Sequence, residues 1–459
     1  MIDVEVIETS SLGDRSYLAS DGEVAVVIDP QRDVDRVLAV AGRLGVRISH
    51  VVETHVHNDY VSGGLELARL TGASYLLCAD DELGFDYTGV ADGDVVEVSP
   101  RLRLRVLGTP GHTFHHLSYV LEGPNGPQGV FTGGSLLYGT TGRTDLLGDE
   151  HAETLARAQH ASAATMADTL PDGAQVWPTH GFGSFCTATP ASGDDSTIGR
   201  EREVNPVLRL ARDEFVRDTL SGLGAYPAYY AHMGALNTAG PTPVDLRPPA
   251  QADPAELATR LQAGEWVVDL RSRKAYLASH LAGTVSLGLD GPMATWLGWM
   301  APHGAPITLL GDTPDQVAQA QRELVRIGVD RIVAAATGDP HELAVDPARL
   351  GELPSAGFAD LAGELDGHRS ADLPPVDVVL DVRLGTEWDA SHVRGAMHVP
   401  LPELPDRLDE VPAGSVWVHC GSGYRATAAA SLLARAGRTV VVIDDNYGDA
   451  ENAGVPLTT

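Results

Sequence analysis

Cysteine is scarce: three residues in 459, Cys78, Cys186 and Cys420, with no two close in sequence. That excludes a disulfide framework and points to a reducing compartment. Basic residues are scarce as well, 32 Lys plus Arg against 63 Asp plus Glu, which leaves a net charge of −31. Such a chain repels nucleic acid and anionic membrane unless a local basic patch intervenes, and the sequence has none. The acidic excess reads as a solubility feature rather than as a substrate signal. No apolar run reaches the length of a membrane span. The stretch from Met1 to Ser20 carries acidic residues without an apolar core, so no signal peptide is expected. The expected compartment is the cytoplasm, with neither nucleic acid nor membrane as partner.

A chain this long exceeds what one core usually holds, so two or three domains are expected. The first half alternates strand-like and helical patterns. Val24 to Asp29 reads as a buried strand, Val34 to Leu44 as an amphipathic helix, and Ser49 to Glu53 as a strand delivering Thr54-His55-Val56-His57-Asn58-Asp59-Tyr60 at its carboxyl end. Loops at that end of α/β strands are where a rigid sheet aims side chains for chemistry. Two stretches rich in Pro, Gly and Asp, 237–253 and 339–357, read as linkers or domain edges.

An internal repeat follows the first of them. Val267-Val268-Asp269-Leu270-Arg271 matches Val379-Leu380-Asp381-Val382-Arg383, and Tyr276, His280 and Gly283 match Trp388, His392 and Gly395 without a gap. The copies part where chemistry would sit. The strand Ser415 to His419 runs into Cys420, whereas Ile307 to Leu310 runs into Gly311-Asp312-Thr313-Pro314-Asp315-Gln316, with neither cysteine nor arginine. The first copy is expected to be silent and structural.

Cys420-Gly421-Ser422-Gly423-Tyr424-Arg425, followed by the Ala-rich run Ala426 to Ala436, reads as strand, loop and helix start. Backbone N–H groups would converge on the sulfur and the helix dipole would add positive potential, both favouring a thiolate nucleophile. A buried structural cysteine is the plainer alternative. Near the amino terminus, His-x-His-x-Asp after a strand sets His55, His57 and Asp59 on one turn, a way to pinch a transition metal. Gly111-His112-Thr113 and Pro178-Thr179-His180-Gly181 each follow a strand-like run and add two histidines at loop positions.

With Glu387-Trp388-Asp389-Ala390-Ser391-His392-Val393-Arg394-Gly395-Ala396 upstream of it, the thiol loop resembles the rhodanese family of sulfurtransferases over about 358–459, with a degenerate copy over about 241–348. The resemblance implies that Cys420 carries the transferred sulfur, that Arg425 closes the loop, and that Asp381 and Arg383 support it. Residues 1–235 resemble the metallo-β-lactamase fold, an αββα sandwich. The segments THVHNDYVSGG, TPGHTFHHLSY, FTGGSLLYGTTGRTDLLG and PTHGFGSFC resemble its persulfide dioxygenase branch. The expected architecture is therefore α/β and multi-domain: the sandwich, then two rhodanese-like domains. That branch implies one mononuclear iron held by two His and one Asp, oxidising a glutathione-type persulfide with O2 to sulfite and thiol. His55 and His112 take the positions of its two histidines.

The expected ligand Asp is absent: the chain reads Phe131-Thr132-Gly133-Gly134, and Tyr60 replaces the last histidine of the wider fold's pattern. Both changes argue against a dinuclear zinc hydrolase of thioesters. His55, His57 and His112 remain as a three-histidine face for one metal ion, Fe(II) first and Zn(II) second, with Asp59 and His180 as alternative ligands or supporting groups. Arg143 meets either a substrate carboxylate or Asp145. His115 and His116 read as structural hydrogen-bonders, Cys186 as a buried neighbour of His180, Cys78 as core, and Tyr229 and Tyr230 as packing. The functional expectation is a sulfur-metabolism fusion enzyme: metal-dependent oxidation of a low-molecular-weight thiol persulfide, coupled to sulfur transfer through Cys420. Its small-molecule partners are the persulfide, O2, sulfite and thiosulfate, and the extended chain is compatible with a homodimer. The rivals are a sulfurtransferase whose metal domain was disarmed at Gly134, the zinc hydrolase, and a persulfide-sensing binding protein.

Overall fold

The computed structural model describes residues 2–189, 191, 193–368 and 370–459. They form two units, Met1–Asp245 with Val325–Gly328, and Leu246–Leu324 with Val329–Thr459. Among the described residues no helix is long and apolar enough to cross a membrane.

The first unit is built on two sheets. One has six strands in sequential order: β1 (Asp3–Thr9), β2 (Asp14–Ser20), β3 (Val24–Ile28), β4 (Arg47–Val52), β5 (Ser74–Cys78) and β6 (Thr88–Val90). The other has five: β7 (Val95–Ser99), β8 (Leu102–Gly108), β9 (Leu117–Gly123), β10 (Gly126–Gly133) and β11 (Gln175–Pro178), in the order β11-β10-β9-β8-β7. Strand alternation sorts the apolar side chains onto two faces. From β3, Val26 and Ile28 join Tyr17, Leu104, Val106, Tyr119 and Phe131 in the core shared by the two sheets. Ala25 and Val27 point the other way, onto Val37 and Ala41 of the helix Asp35–Leu44 and Leu65 and Leu67 of the helix Gly64–Thr71. The helix Asp149–Thr169 covers the second sheet through Ala156, Ala163 and Met166. That is the expected αββα layering, and Cys78 lies in its central core.

The second unit contains two parallel sheets that repeat one another. The first holds β12 (Trp266–Asp269), β14 (Val285–Ser286), β15 (Ile307–Gly311) and β16 (Ile332–Thr337) in the order β14-β12-β15-β16, and β13 (His280–Leu281) lies outside it. The second holds β18 (Ser355–Ala356), β19 (Val378–Asp381), β21 (Met397–His398), β22 (Ser415–His419) and β23 (Thr439–Ile443) in the order β18-β23-β22-β19-β21. Read from the other edge, the last four strands repeat the first sheet's order. The fifth strand survives in the first sheet as a single parallel bridge, Gln251 to Ala335.

The clamp behind each first strand repeats too. Arg271 grips Asp269 through its backbone N–H, Nε and Nη2 and reaches the carbonyl of Ser279; Arg383 does the same with Asp381 and Ser391. Residues 339–357, read from composition as a linker or domain edge, run from the first sheet to the second and are ordered. Their strand β17 (Leu350–Gly351) pairs with β13, and β18 pairs with β23, so backbone hydrogen bonds tie the later part of the segment first to one half of the unit and then to the other.

Candidate functional site

In the first unit, six chain segments bring polar residues to one edge of the sandwich. Asp14 starts β2, Asp29 follows β3, and Glu53 to Tyr60 follow β4; His112 and His116 follow β8, Gly134 follows β10, and His180 follows β11. His55, His57, Asp59, His112 and His180 are all at most 2% exposed. One ligating atom from each of His55, His112 and His180 lies within 4.8 Å of the other two. The Nε2 atoms of all three lack any hydrogen-bond partner among the described residues.

Their Nδ1 atoms are engaged. That of His55 meets Thr54 Oγ1 at 2.9 Å, and that of His112 meets the Arg143 carbonyl at 2.7 Å. That of His180 meets Asp14 at 3.0 Å and lies 3.0 Å from Asp59. A carbonyl only accepts, so His112 carries its proton on Nδ1 and its lone pair on Nε2. Convergent buried imidazole nitrogens without partners are costly alone and suit a metal ion, and carboxylate or carbonyl acceptors behind them fix the rings. The residues present therefore fit one metal ion of the kind this donor set accepts.

His57 falls outside that trio. Its Nε2 lies 3.1 Å from Glu53, 3.0 Å from the Tyr60 hydroxyl and 3.3 Å from Asp29. Its Nδ1 is unpartnered among the described residues, and a second group joins His57, Asp59 and His180. The structure thus groups His55 and His112 with His180 rather than with His57, and sets Asp59 next to them, its carboxylate 3.0 Å from His180 Nδ1. Burial, then the neighbouring His180, lowers His112 to about 3. Against the effect of burial, Asp59 and Asp14 raise His180 to about 10. A metal ion held by His180 would take the place of the Nε2 proton, while Nδ1 keeps its proton and donates it to Asp14 and Asp59.

Gly134 has a steric reason. A Cβ at this position would overlap the imidazole of His112, coming 2.6 Å from its Cγ and 2.8 Å from its Nε2. The Gly134 N–H donates to His116 Nε2 at 3.1 Å, and His116 Nδ1 faces Thr109 at 2.9 Å. His115 bonds Asp81 at 2.9 Å. Both histidines are hydrogen-bonders of the scaffold, as expected. Arg143, one of whose expected roles was to meet a substrate carboxylate, is taken up within the protein. Asp145 receives Nε and Nη2 at 2.7 and 2.6 Å, the carbonyls of Phe185 and Gly224 receive Nη1 and Nη2, and the Tyr226 ring lies 4.4 Å away. Burial, then Asp59 and Asp14, push the Cys186 thiol well above its ordinary range. Tyr229 and Tyr230 are buried with their rings 5.1 Å apart.

Sequence reasoning missed three carboxylates. Asp14 orients His180; Asp29 accepts Thr54 N–H at 2.7 Å and Thr54 Oγ1 at 2.8 Å; Glu53 accepts from Tyr75 at 3.0 Å and from Ser62. Burial pushes Glu53 up to about 7, while His57 and the hydrogen bonds of Thr179 and Thr54 overcome burial and hold Asp29 at about 2. The available signal was an acidic residue directly after an apolar strand end, Asp29 after β3 and Glu53 after β4.

In the second unit, β22 delivers Cys420, 1% exposed, to the loop that starts the helix Tyr424–Arg435. Gly423, at φ 93°, adopts a backbone that favours glycine, and its N–H donates to Cys420 Sγ at 3.2 Å. Arg425 forms a bidentate pair with Glu387 at 2.5 and 2.8 Å, and Glu387 also accepts the Leu384 N–H at 3.0 Å. Ser422 is exposed at the loop tip. In the first copy Gln316 stands where Arg425 stands in the second, and its Oε1 accepts the Asp312 N–H at 2.7 Å. That side chain fills the loop the cysteine would otherwise organise.

Residues 15–180 match the Metallo-beta-lactamase superfamily, and residues 361–450 match the Rhodanese-like domain. The chain belongs to the metallo-β-lactamase superfamily and carries a rhodanese-like domain behind it. Among curated proteins it is similar to the human mitochondrial persulfide dioxygenase ETHE1, 31% identical over 239 residues, covering 51% of this chain and 82% of that one. It is also similar to the hydroxyacylglutathione hydrolase of Nitrosococcus oceani, 33% identical over 231 residues, covering 44% of this chain and 84% of that one. Among solved structures, a metallo-beta-lactamase from Staphylococcus aureus aligns at 28% identity with a TM-score of 0.65, covering 74% of this chain and 99% of that one.

Proposed function

We propose that the protein oxidises a low-molecular-weight thiol persulfide at the buried histidine site and transfers sulfur through Cys420, the two halves of the second unit being tandem rhodanese domains of which the first is silent. The observation that carries this is the trio of unpartnered Nε2 atoms on His55, His112 and His180, in a chain that also holds a Cys420 loop of sulfurtransferase type. The ion proposed is Fe(II), and it would supply a site where persulfide and O2 meet. Thr54, the Arg143 carbonyl and the Asp14–Asp59 pair hold the three rings in place, and burial limits competing water. The overall reaction balances as persulfide plus O2 plus water giving thiol, sulfite and two protons.

At Cys420 the thiolate attacks the outer sulfur of a donor. A new S–S bond forms, the donor's S–S bond breaks, and the leaving thiolate or sulfite departs with the electron pair. In the reverse sense, sulfite takes that sulfur from the Cys420 persulfide and becomes thiosulfate. Similarity to hydroxyacylglutathione hydrolases keeps thioester hydrolysis as the rival, but a two-metal site wants a bridging carboxylate where this chain has Gly134 and the His112 ring.

The deciding test combines metal analysis with an oxygen electrode, using glutathione persulfide as probe. Wild-type protein is expected to carry about one iron per chain and to consume O2 with sulfite formation. His112→Ala is expected to lose most of the metal and the O2 uptake, while thiosulfate sulfurtransferase activity persists. Metal-replete protein that consumes no O2, or that hydrolyses a glutathione thioester instead, sinks the proposal.

A further inference from the structure

The copy without cysteine forms one wall of the Cys420 loop. The Tyr424 hydroxyl donates to the carbonyl of Gly288 at 2.9 Å, and the Tyr424 ring lies so close to Gly291 that a Cβ there would overlap it. Arg425 lies 5.5 Å over the ring of Trp296. The fourth contact is charged. Arg273, the residue after the cap of the helix Arg273–Ala278, reaches Asp444 with its Nε at 2.7 Å. A Cβ on Gly423 would overlap Asp444 Oδ1 and come 3.2 Å from that Nε, so the Asp444–Arg273 pair lies against Gly423, the residue whose N–H donates to Cys420 Sγ.

Arg425 and Arg383 are closed off by bidentate pairing with Glu387 and Asp381. Arg273 is not. Only its Nε is hydrogen-bonded among the described residues; Nη1 lies 3.6 Å from Asp290, and the side chain is 28% exposed. The Asp444 hydrogen bond, against burial, and then the neighbouring Asp444, Asp290 and Cys420 raise the Arg273 guanidinium. Sulfite and thiosulfate are dianions, and a chain with net charge −31 repels them everywhere that lacks a local cation. A planar guanidinium with free N–H groups suits a sulfur oxyanion as it suits phosphate.

We propose that Arg273, supplied by the copy that has lost its own cysteine, is the anion-binding residue of the Cys420 site and holds a sulfur oxyanion while its sulfur meets the thiol. This rests on the reading that Cys420 carries transferred sulfur. The silent copy thereby becomes part of the acceptor site rather than a spacer.

Alkylation of Cys420 tests the anion site without any turnover. Full-length wild type, Arg273→Gln and Arg273→Lys would be reacted with iodoacetate, an anion, and iodoacetamide, its neutral analogue, and the Cys420 peptide followed by mass. Arg273→Gln is expected to slow iodoacetate about tenfold and to leave iodoacetamide within about twofold, with Arg273→Lys keeping most of the wild-type rate. The KM for thiosulfate is expected to rise by a similar factor while kcat changes little. Equal slowing of both reagents would show only a distorted loop. That result, no slowing of either, or a thiol that neither reagent reaches overturns the proposal. A selective loss with iodoacetate but no sulfur transfer in the wild type would leave the anion site standing and remove the sulfurtransferase reading.

Discussion

At residue 134 and residue 112 two side chains compete for one volume. The chain lacks a carboxylate where the persulfide dioxygenase resemblance expects one, and the His112 ring stands where that residue's Cβ would project. Restoring the aspartate therefore differs from repairing the site. Gly134→Asp is expected to force His112 off its bond to the Arg143 carbonyl, to lower metal content below wild type, and to cost about 1–3 kcal/mol of stability through overpacking. Elemental analysis together with thermal unfolding checks it; a variant with more bound metal and an unchanged melting temperature would mean that His112 swings aside at no cost. The glycine was legible in the sequence, but its partner in space was not. Motif spacing marked His55, His57, His112 and His180 alike, because spacing reports which residues share a loop and not which ring nitrogen is left without a partner. That distinction depends on Glu53, Tyr60 and Asp29 holding the Nε2 of His57, which leaves it only Nδ1, on the grouping of His55, His112 and His180 within 4.8 Å, and on Asp14, which no motif flags.

Strand β22 shows how an element couples a reactive loop to the stability of its sheet. His419, next to Cys420, is fully buried, and among the described residues both its ring nitrogens lack hydrogen-bond partners. Its ring stacks 5.7 Å from Tyr447 and meets Phe358 edge-on, with Asp381 Oδ2 at 3.6 Å from Nε2. Burial lowers its pKa from 6.5 to about 4, Asp381 opposing and Arg383 and Arg425 adding. Because the folded state binds the proton more weakly than the unfolded state, the group favours folding above 6.5, and that stability is lost as the pH falls toward about 4. The loss is on the order of 3 kcal/mol across the window. Denaturant midpoints at neutral pH and near the lower end should therefore converge for His419→Phe relative to wild type; equal acid sensitivity of the two would show that His419 is not the group responsible. The element itself was readable in advance, since an apolar strand, a cysteine and a glycine-rich turn before an Ala-rich helix need little tertiary context. The order in residues 339–357 was not, because it comes from pairing with β13 and β23, which composition does not report.

For the whole molecule, the internal repeat was visible in the sequence as matched Asp-x-Arg and aromatic-His pairs, and the structure returns it as one strand order written twice. What the copies do for each other was hidden, since Tyr424, Gly288, Arg273 and Gly423 meet only through tertiary packing. The two chemistries proposed for this chain make together a prediction that neither makes alone. If oxidation ran by itself, each persulfide would consume one O2 and yield one sulfite. If Cys420 then passes the sulfur of a second persulfide to that sulfite, two persulfides and one O2 yield thiosulfate, and the O2 demand per persulfide halves. Cys420→Ser, which keeps the first unit intact, is thus expected to raise O2 consumed per persulfide about twofold and to change the product from thiosulfate to sulfite, with the initial rate of O2 uptake per bound metal preserved. An oxygen electrode with ion chromatography of the products reads all three quantities. An unchanged ratio would mean that the centres work independently; loss of O2 uptake in the variant would mean that Cys420 feeds the oxidation itself, with sulfur moving from the thiol loop toward the histidine site rather than to sulfite.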